Sequence, residues 1–121
     1  YEALTTALPP ASFYYDREQI EMKGKVYQAA LNDIMRAVVL DQRNAQLWAE
    51  KANVHLRVGQ YADAMASADV AIQLDSTYSV PYLIKGLAQC QSGKKDEGLT
   101  NLQKAKDLGD TQADAFIKKF K

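Results

Sequence analysis

Apolar residues along the chain fall at helical spacing, and the same spacing returns every 34 residues. Leu31, Ile34 and Ala37, with Val38 beside the last, follow steps of three, three and one. Apolar residues at such steps form one stripe along an amphipathic helix. After one period the whole stripe recurs, at Met65, Ala68, Ala71 and Ile72. After a second period it recurs in part, at Leu99, Leu102 and Ala105.

Glycine and proline lie where these helices should begin or end. Gly59 and Gly93 are 34 residues apart and suit helix C-terminal positions that need a left-handed backbone. In the first unit the glycine, Gly24, comes one residue early, which predicts a variant turn. Pro81 is expected in a first helical turn, where its missing N–H is tolerated. With no strand pattern anywhere, we predict helices at about 1–8, 11–24, 27–40, 45–58, 61–74, 79–92, 95–108 and 113–120.

A fixed period of this length indicates stacked supersecondary units. Single helices of this length are marginal in water, so packing between units must stabilise them. The period is also visible as columns of similar residues, which are Ala30, Ala64 and Gly98; Ala37, Ala71 and Ala105; Leu40, Leu74 and Leu108; Tyr14, Trp48 and Tyr82; and Arg17, Lys51 and Lys85.

These residues resemble the tetratricopeptide repeat (TPR), and the best match is the unit at 45–78. That unit carries Trp48, Ala52, Gly59-Gln60-Tyr61, Ala64, Ala68 and Ala71. The resemblance implies an all-α fold, a right-handed α-α superhelix of three TPR units. By the period, these units are 11–44, 45–78 and 79–112, preceded by the end of another repeat at 1–10 and followed by a capping helix at 113–121.

The chain departs from the family pattern in two ways. Glu18 occupies the position that Ala52 and Gly86 hold in the other units, and a carboxylate is costly to bury there. Ser76 and Asp110 stand where the family usually has a proline after the second helix. We therefore expect looser packing in the first unit and altered turns after the second helices.

The period also bears on both ends of the chain. Ala3 and Leu4 fall where a second helix of a preceding repeat would end, so we expect the chain to begin inside a repeat, as a piece of a longer protein. Phe116 and Phe120 continue the period beyond the third unit and predict the capping helix.

Charge and hydropathy narrow the possible partners. The net charge is zero, which argues against electrostatic capture of nucleic acid. No apolar run approaches the roughly 20 residues that cross a bilayer, so no transmembrane segment is expected. Residues 1–78 hold 7 Lys/Arg against 10 Asp/Glu, and residues 79–121 hold 8 against 5. We interpret this asymmetry as drift in surface charge; the alternatives are a weak preference for an acidic partner or head-to-tail self-association. The sequence does not indicate the cellular compartment.

The sequence offers no catalytic, metal or cofactor site. His55 is the single histidine, and no cysteine lies at a zinc-ligand spacing from it. Cys90 is the single cysteine, which excludes an internal disulfide, and we interpret it as a small apolar helix residue. The chain has no glycine-rich phosphate loop and no nucleophile motif. We therefore predict a protein that is not an enzyme and uses no cofactor.

The family resemblance implies a concave groove lined by the first helix of each unit. We expect it to be polar towards the N-terminus and apolar towards the C-terminus. An exposed apolar patch there would mark a binding site, unless the capping helix or another portion of the protein covers it. On this basis Leu83→Glu or Leu87→Glu would weaken binding without unfolding the chain. The positions that line the groove in the family correspond here to Ser12, Tyr15, Gln19, Met22 and Lys23 in the first unit, Gln46, Ala49, Asn53, Leu56 and Arg57 in the second, and Val80, Leu83, Leu87, Cys90 and Gln91 in the third.

Some members of the family grip the terminal carboxylate of a peptide with Lys and Arg in this groove. None of the matching positions is basic here, so we predict that this clamp is absent. The basic column Arg17, Lys51, Lys85 is expected to pair with nearby carboxylates rather than to bind an acidic partner. The five matching clamp positions are Tyr15, Gln19, Glu50, Val80 and Ile84.

Three functional hypotheses remain. The first is a non-catalytic scaffold that binds a peptide or partner protein in the concave groove. The second is an accessory or regulatory TPR module of a larger enzyme whose catalytic domain lies upstream. The third is self-association through the exposed edge of the first repeat.

Overall fold

The computed structural model describes residues 9–121, and this stretch of the chain forms seven α-helices without a strand. Every helix predicted from residue 11 onward is present, with its ends within one residue of the prediction. The helix predicted at 1–8 lies outside the described residues. The helices are α1 (Ala11–Lys23), α2 (Tyr27–Leu40), α3 (Ala45–Arg57), α4 (Tyr61–Leu74), α5 (Ser79–Gln91), α6 (Lys95–Asp107) and α7 (Ala113–Phe120).

Consecutive helices pair and the pairs stack, as in a helical solenoid. The pairs are α1 with α2, α3 with α4, and α5 with α6, and they are joined through contacts of α2 with α3 and of α4 with α5. The helix α7 packs against α6 and also reaches α5. The predicted all-α, right-handed superhelix is confirmed.

Small residues let the two helices of a pair approach closely. A Cβ atom added to Gly98 would lie 2.7 Å from the Gly86 carbonyl oxygen and 2.8 Å from the Cys90 nitrogen, so α5 and α6 touch backbone to backbone. Ala52 and Ala64, at the equivalent positions of the second unit, are fully buried. The small-residue columns of the sequence therefore mark the contact within the second and third pairs.

The turns inside the pairs follow the glycine pattern. Gly59 and Gly93 have φ angles of 82° and 93°, and the left-handed region favours glycine. In the first unit Gly24 is right-handed with φ −82°, and Lys25 takes the positive φ of 59° instead. The predicted variant turn is confirmed.

Side-chain bonds organise the turns after the second helices, where proline is missing. The Asp75 carboxylate accepts a bond of 3.0 Å from the Thr77 backbone N–H. The Ser76 carbonyl accepts a bond of 3.0 Å from the Tyr82 hydroxyl. Asp110 accepts bonds of 2.8 Å and 3.1 Å from the N–H groups of Gln112 and Ala113, at the start of α7. These bonds fix the chain where a proline would restrict φ.

Candidate binding groove

The helices α3, α5 and α7 enclose an open groove of about 830 Å³. A volume of this order falls within the range of about 300–1,000 Å³ typical of ligand sites. The lining comes from one face of each helix and from the turns before α4 and α7. It consists of Glu50, Asn53, Leu56, Arg57, Val58, Gly59, Tyr61, Val80, Leu83, Ile84, Leu87, Gln91, Asp110, Thr111, Gln112, Phe116 and Lys119.

Some of the residues predicted to line the groove do line it, and others do not. Tyr15, Gln19 and Gln46 lie outside it, on the α1 side of α3, where the Tyr15 hydroxyl accepts a bond of 3.3 Å from Gln46 Nε2. Ala49 is only 1% exposed, so its expected place on an open surface was wrong. The predicted residues that do line the groove are Asn53, Leu56, Arg57, Val80, Leu83, Leu87 and Gln91.

The expected exposed apolar patch at the C-terminal end is not present, because α7 covers it. Leu83 and Leu87 are 7% and 8% exposed and belong to a cluster that includes Phe116 and Phe120 of α7. They form the floor of the groove rather than an open surface. A glutamate at either position would place a charge in this buried cluster, so we expect it to destabilise the fold rather than leave it intact.

Sequence reasoning missed the lining contributed by α7 and its preceding turn. Phe116 and Lys119 reach the groove because α7 contacts α5 as well as α6. Thr111 and Asp110 join them from the turn. The period predicts a capping helix, and its aromatic residues were the signal that could have placed it against the third unit.

Acidic and basic side chains both line the groove, at different places along it. The lining holds two acidic residues, Glu50 in the middle of α3 and Asp110 in the turn before α7. Arg57 lies two helical turns beyond Glu50 on the same helix, about 10 Å away along the axis. Lys119 of α7 lines the same groove as Arg57. Neither Arg57 nor Lys119 forms an ion pair with a carboxylate of the described residues.

Glu50 belongs to a cluster with Glu18 and Gln19, which we call the carboxyl cluster. Glu18 is 0% exposed, although it replaces a small residue of the other units. The Gln19 amide Nε2 donates to Glu18 Oε1 at 2.7 Å and to Glu50 Oε2 at 3.0 Å. Burial, followed by the hydrogen bond and the charge of Glu50, raises the pKa of Glu18 to about 9. The side chain can thus be buried because it stays protonated at neutral pH.

The residues of the basic column mostly interact with other side chains of the stacked helices. Arg17 donates to both oxygens of buried Asp33 at 2.8 Å and 2.7 Å, and Lys85 lies 2.7 Å from Asp69. The bonds from Arg17 hold the pKa of Asp33 down at about 2. Lys51 instead lies over the Trp48 ring, 4.9 Å from its centroid. The predicted pairing with carboxylates is confirmed for Arg17 and Lys85.

The single histidine, His55, and the single cysteine, Cys90, both have structural surroundings. His55 is buried, and its Nδ1 lies 2.7 Å from Gln60 Oε1 across the turn that follows α3. Cys90 is half-buried against Gly98, and burial raises the pKa of its thiol. Within residues 9–121, no group of three His, Cys, Asp or Glu side chains is arranged to hold a metal ion. None of the helices in that range combines the length and apolar character needed to cross a bilayer.

These features define an all-α helical-repeat domain with an open concave groove. No known family model matches the chain. The small glutamine-rich tetratricopeptide repeat-containing protein 2 of Saccharomyces cerevisiae is 30% identical over 100 residues, which are 82% of this chain and 29% of that protein. The TPR repeat-containing thioredoxin TDX of Arabidopsis thaliana is 30% identical over 94 residues, 77% of this chain and 25% of that protein.

A solved structure agrees with these sequence relatives. The second TPR domain of human RPAP3, solved in complex with the HSP70 peptide SGPTIEEVD, superposes with a TM-score of 0.80 at 28% identity, covering 88% of this chain and 91% of that one. The chain is a tetratricopeptide repeat domain, as its residues predicted. It spans less than a third of the length of the curated relatives described above.

Proposed function

We propose that this chain is a non-catalytic module that binds a peptide, or an extended segment of a partner protein, in the groove between α3, α5 and α7. The observation that carries the proposal is the groove itself, which is open, preformed and large enough for several side chains. The similarity to the peptide-bound RPAP3 domain supports it. A rigid helical surface of this kind loses little conformational entropy when a ligand binds.

The lining suits a ligand with mixed chemistry. Leu56, Val80 and Phe116 are half-buried and offer apolar contact, while Asn53 and Gln91 offer amide donors and acceptors. Ligand sites commonly combine a mostly apolar lining with a few polar groups that fix orientation. The buried leucines beneath give this surface its shape.

The ligand of this groove differs from a peptide gripped by its terminal carboxylate. The five clamp positions carry no Lys or Arg, and Glu50 places a carboxylate at one of them. A free acidic C-terminus would meet like charge there. We expect SGPTIEEVD not to bind in isothermal titration; binding that disappears when the terminal carboxylate is amidated would contradict this reasoning.

A matched pair of substitutions tests the groove. Peptides selected from a displayed random library on the whole chain would be titrated against Asn53→Arg, within the groove, and Asn32→Arg, exposed on α2. We expect a loss of about tenfold or more for Asn53→Arg, since an arginine fills lining space, and no loss for Asn32→Arg. Equal affinities for both variants would refute the groove as the binding surface.

A second candidate is that the domain is an accessory or regulatory module of a larger enzyme. The relative described as a thioredoxin carries its TPR match in only a quarter of its length, which supports this candidate. The full-length open reading frame decides between the candidates: an adjoining catalytic domain favours the second, and further repeats alone favour the first.

A further inference from the structure

We propose that the face of α1 around Phe13 is a docking surface, and that its occupant is the segment 1–8 of the same chain. In the two following units the equivalent face of the first helix packs against the second helix of the unit before it. The segment 1–8 lies outside the described residues. The surface is separate from the groove between α3, α5 and α7, so this inference does not rest on the proposed function.

The exposure of Phe13 sets it apart from the equivalent residues of the other units. Phe13 is 45% exposed, whereas Leu47, one period later, is 5% exposed, and Pro81, two periods later, is fully buried. Leu47 belongs to a core cluster that also contains Ala37 and Val38 of α2. The repeat thus buries this position under the helix that precedes it. A large aromatic side chain there gains free energy when a preceding segment removes it from water.

The sequence of the segment 1–8 provides apolar residues in the required register. Ala3 and Leu4 precede Ala37 and Val38 by one period. Those two residues of α2 are 0% and 4% exposed, and they lie near the end of the helix, which a connector of four residues brings beside the start of α3. The same register places Ala3 and Leu4 opposite Phe13, which lies near the start of α1.

A hydrogen bond that recurs in the stack also points to this segment. Trp48 Nε1 donates at 2.8 Å to the carbonyl oxygen of the residue six positions before it, in the connector that leads into α3. The Tyr82 hydroxyl donates at 3.0 Å to the carbonyl six positions before it, in the connector that leads into α5. Tyr14 holds the same aromatic position in α1, and the residue six positions before it is Leu8. The repeat therefore assigns the Leu8 carbonyl as the acceptor for the Tyr14 hydroxyl, next to Phe13.

The docking surface for this segment ends before Ile20, which is 70% exposed. Ile20 lies seven residues beyond Phe13 on α1, about 10 Å away along the axis. By the period, the segment 1–8 corresponds to residues 35–42, the last turns of α2 and the start of the connector. Because helices joined by a short connector run antiparallel, this part of the repeat reaches the start of the next helix and not its middle. Ile20 is therefore a matched control on the same helix.

The test is a set of double-mutant cycles on the whole chain, measured by unfolding in urea. Leu4→Ala should lower the ratio of folded to unfolded chain about fivefold or more, because it removes an apolar contact with Phe13. In a Phe13→Ala background the same change should have little effect, since the contact is already lost. In an Ile20→Ala background it should keep its full effect.

Two results of the cycles would overturn the proposal. One is an effect of Leu4→Ala that is absent, or that is equally large in the Phe13→Ala background. The other is equal coupling of Leu4 to Ile20, together with an unfolding midpoint that rises with protein concentration. That result would show that a second copy of the chain covers the whole face instead.

A direct measurement on the unchanged chain does not depend on whether a variant folds. We expect nuclear Overhauser effects between the Leu4 methyl groups and the Phe13 ring, and none between Leu4 and Ile20. Their absence at Phe13 would overturn the docking of the segment 1–8. None of these measurements involves a ligand or a residue of the groove lining, so their failure leaves the proposed peptide binding to its own test.

Discussion

The sharpest consequence of this structure is the effect of pH on folding through Glu18. The side chain is fully buried, and its pKa is raised to about 9 by burial and by Glu50. In the unfolded chain the same group titrates near its ordinary value of 4.5. Between these two values the folded state holds a proton that the unfolded state has released, so the free energy of unfolding falls as pH rises.

The magnitude follows from the linkage of one proton. A single group that is protonated only in the folded state lowers the free energy of unfolding by about 1.4 kcal/mol per pH unit. Over the three units from about pH 4.5 to about pH 7.5, Glu18 thus removes up to about 4 kcal/mol. That is a large share of the roughly 5–15 kcal/mol that stabilises a typical domain.

Glu18→Gln isolates this contribution. A glutamine offers a carbonyl acceptor and an NH2 group, so one of its two N–H donors can replace the carboxyl O–H between Gln19 and Glu50, and the side chain cannot ionise. Urea unfolding should show similar stability of both proteins near pH 4.5 and a growing advantage of the variant above it, with a slope that approaches about 1.4 kcal/mol per pH unit.

The comparison cancels the titrating groups that lie outside the carboxyl cluster. Glu21, whose pKa burial raises to about 7, contributes its own slope, but it does so in both proteins. Asp63→Asn, an exposed carboxyl group on α4, should leave the slope unchanged. Equal pH slopes for Glu18→Gln and the unchanged chain would refute the conclusion that Glu18 is protonated in the fold.

Three further substitutions follow from the packing. Leu87→Glu should lower the free energy of unfolding by about 3 kcal/mol or more in urea titration, because it buries a charge beneath α7; an unaltered transition would contradict the covered groove floor. Gly98→Ala should cost about 2 kcal/mol through overpacking against the Gly86 carbonyl, while exposed Thr100→Ala on the same helix should cost little; equal effects would exclude the close approach. Asp33→Asn should lower stability at neutral pH by about 2 kcal/mol through loss of the Arg17 bonds. The pKa of Asp33 is lowered from 3.8 to about 2, so its stabilisation is fully present above its ordinary pKa and is lost as pH falls through the folded value. The deficit of the variant should therefore begin to shrink below about pH 4 and disappear near pH 2; a constant deficit would count against the ion pair.

The binding surface could be predicted only incompletely. Repeat positions identified Asn53, Arg57 and Gln91 as lining, because the same face of each first helix turns to the same side of a solenoid. They could not show that Leu83 and Leu87 lie beneath another helix. The burial of these two leucines depends on where α7 packs. The repeat period gives the order of the helices along the chain, but it does not show which helices contact one another. Whether these lining residues bind a ligand stays a prediction.

The sequence by itself determined the helices, their order and the turns between them. Periodic apolar stripes, small residues and glycines at fixed intervals act locally or between neighbouring units, so they can be read along the chain. The positive φ angles of Gly59 and Gly93 are examples, as is the close approach at Gly98.

Only the tertiary structure decided the state of Glu18 and the shape of the groove. By sequence, Glu18 was a misfit at a small-residue position. In the fold it shares Gln19 with Glu50, a residue of the next unit, and burial keeps it protonated. Desolvation and charge–charge interaction depend on distances between side chains from different helices, and those distances exist only once the repeats have stacked.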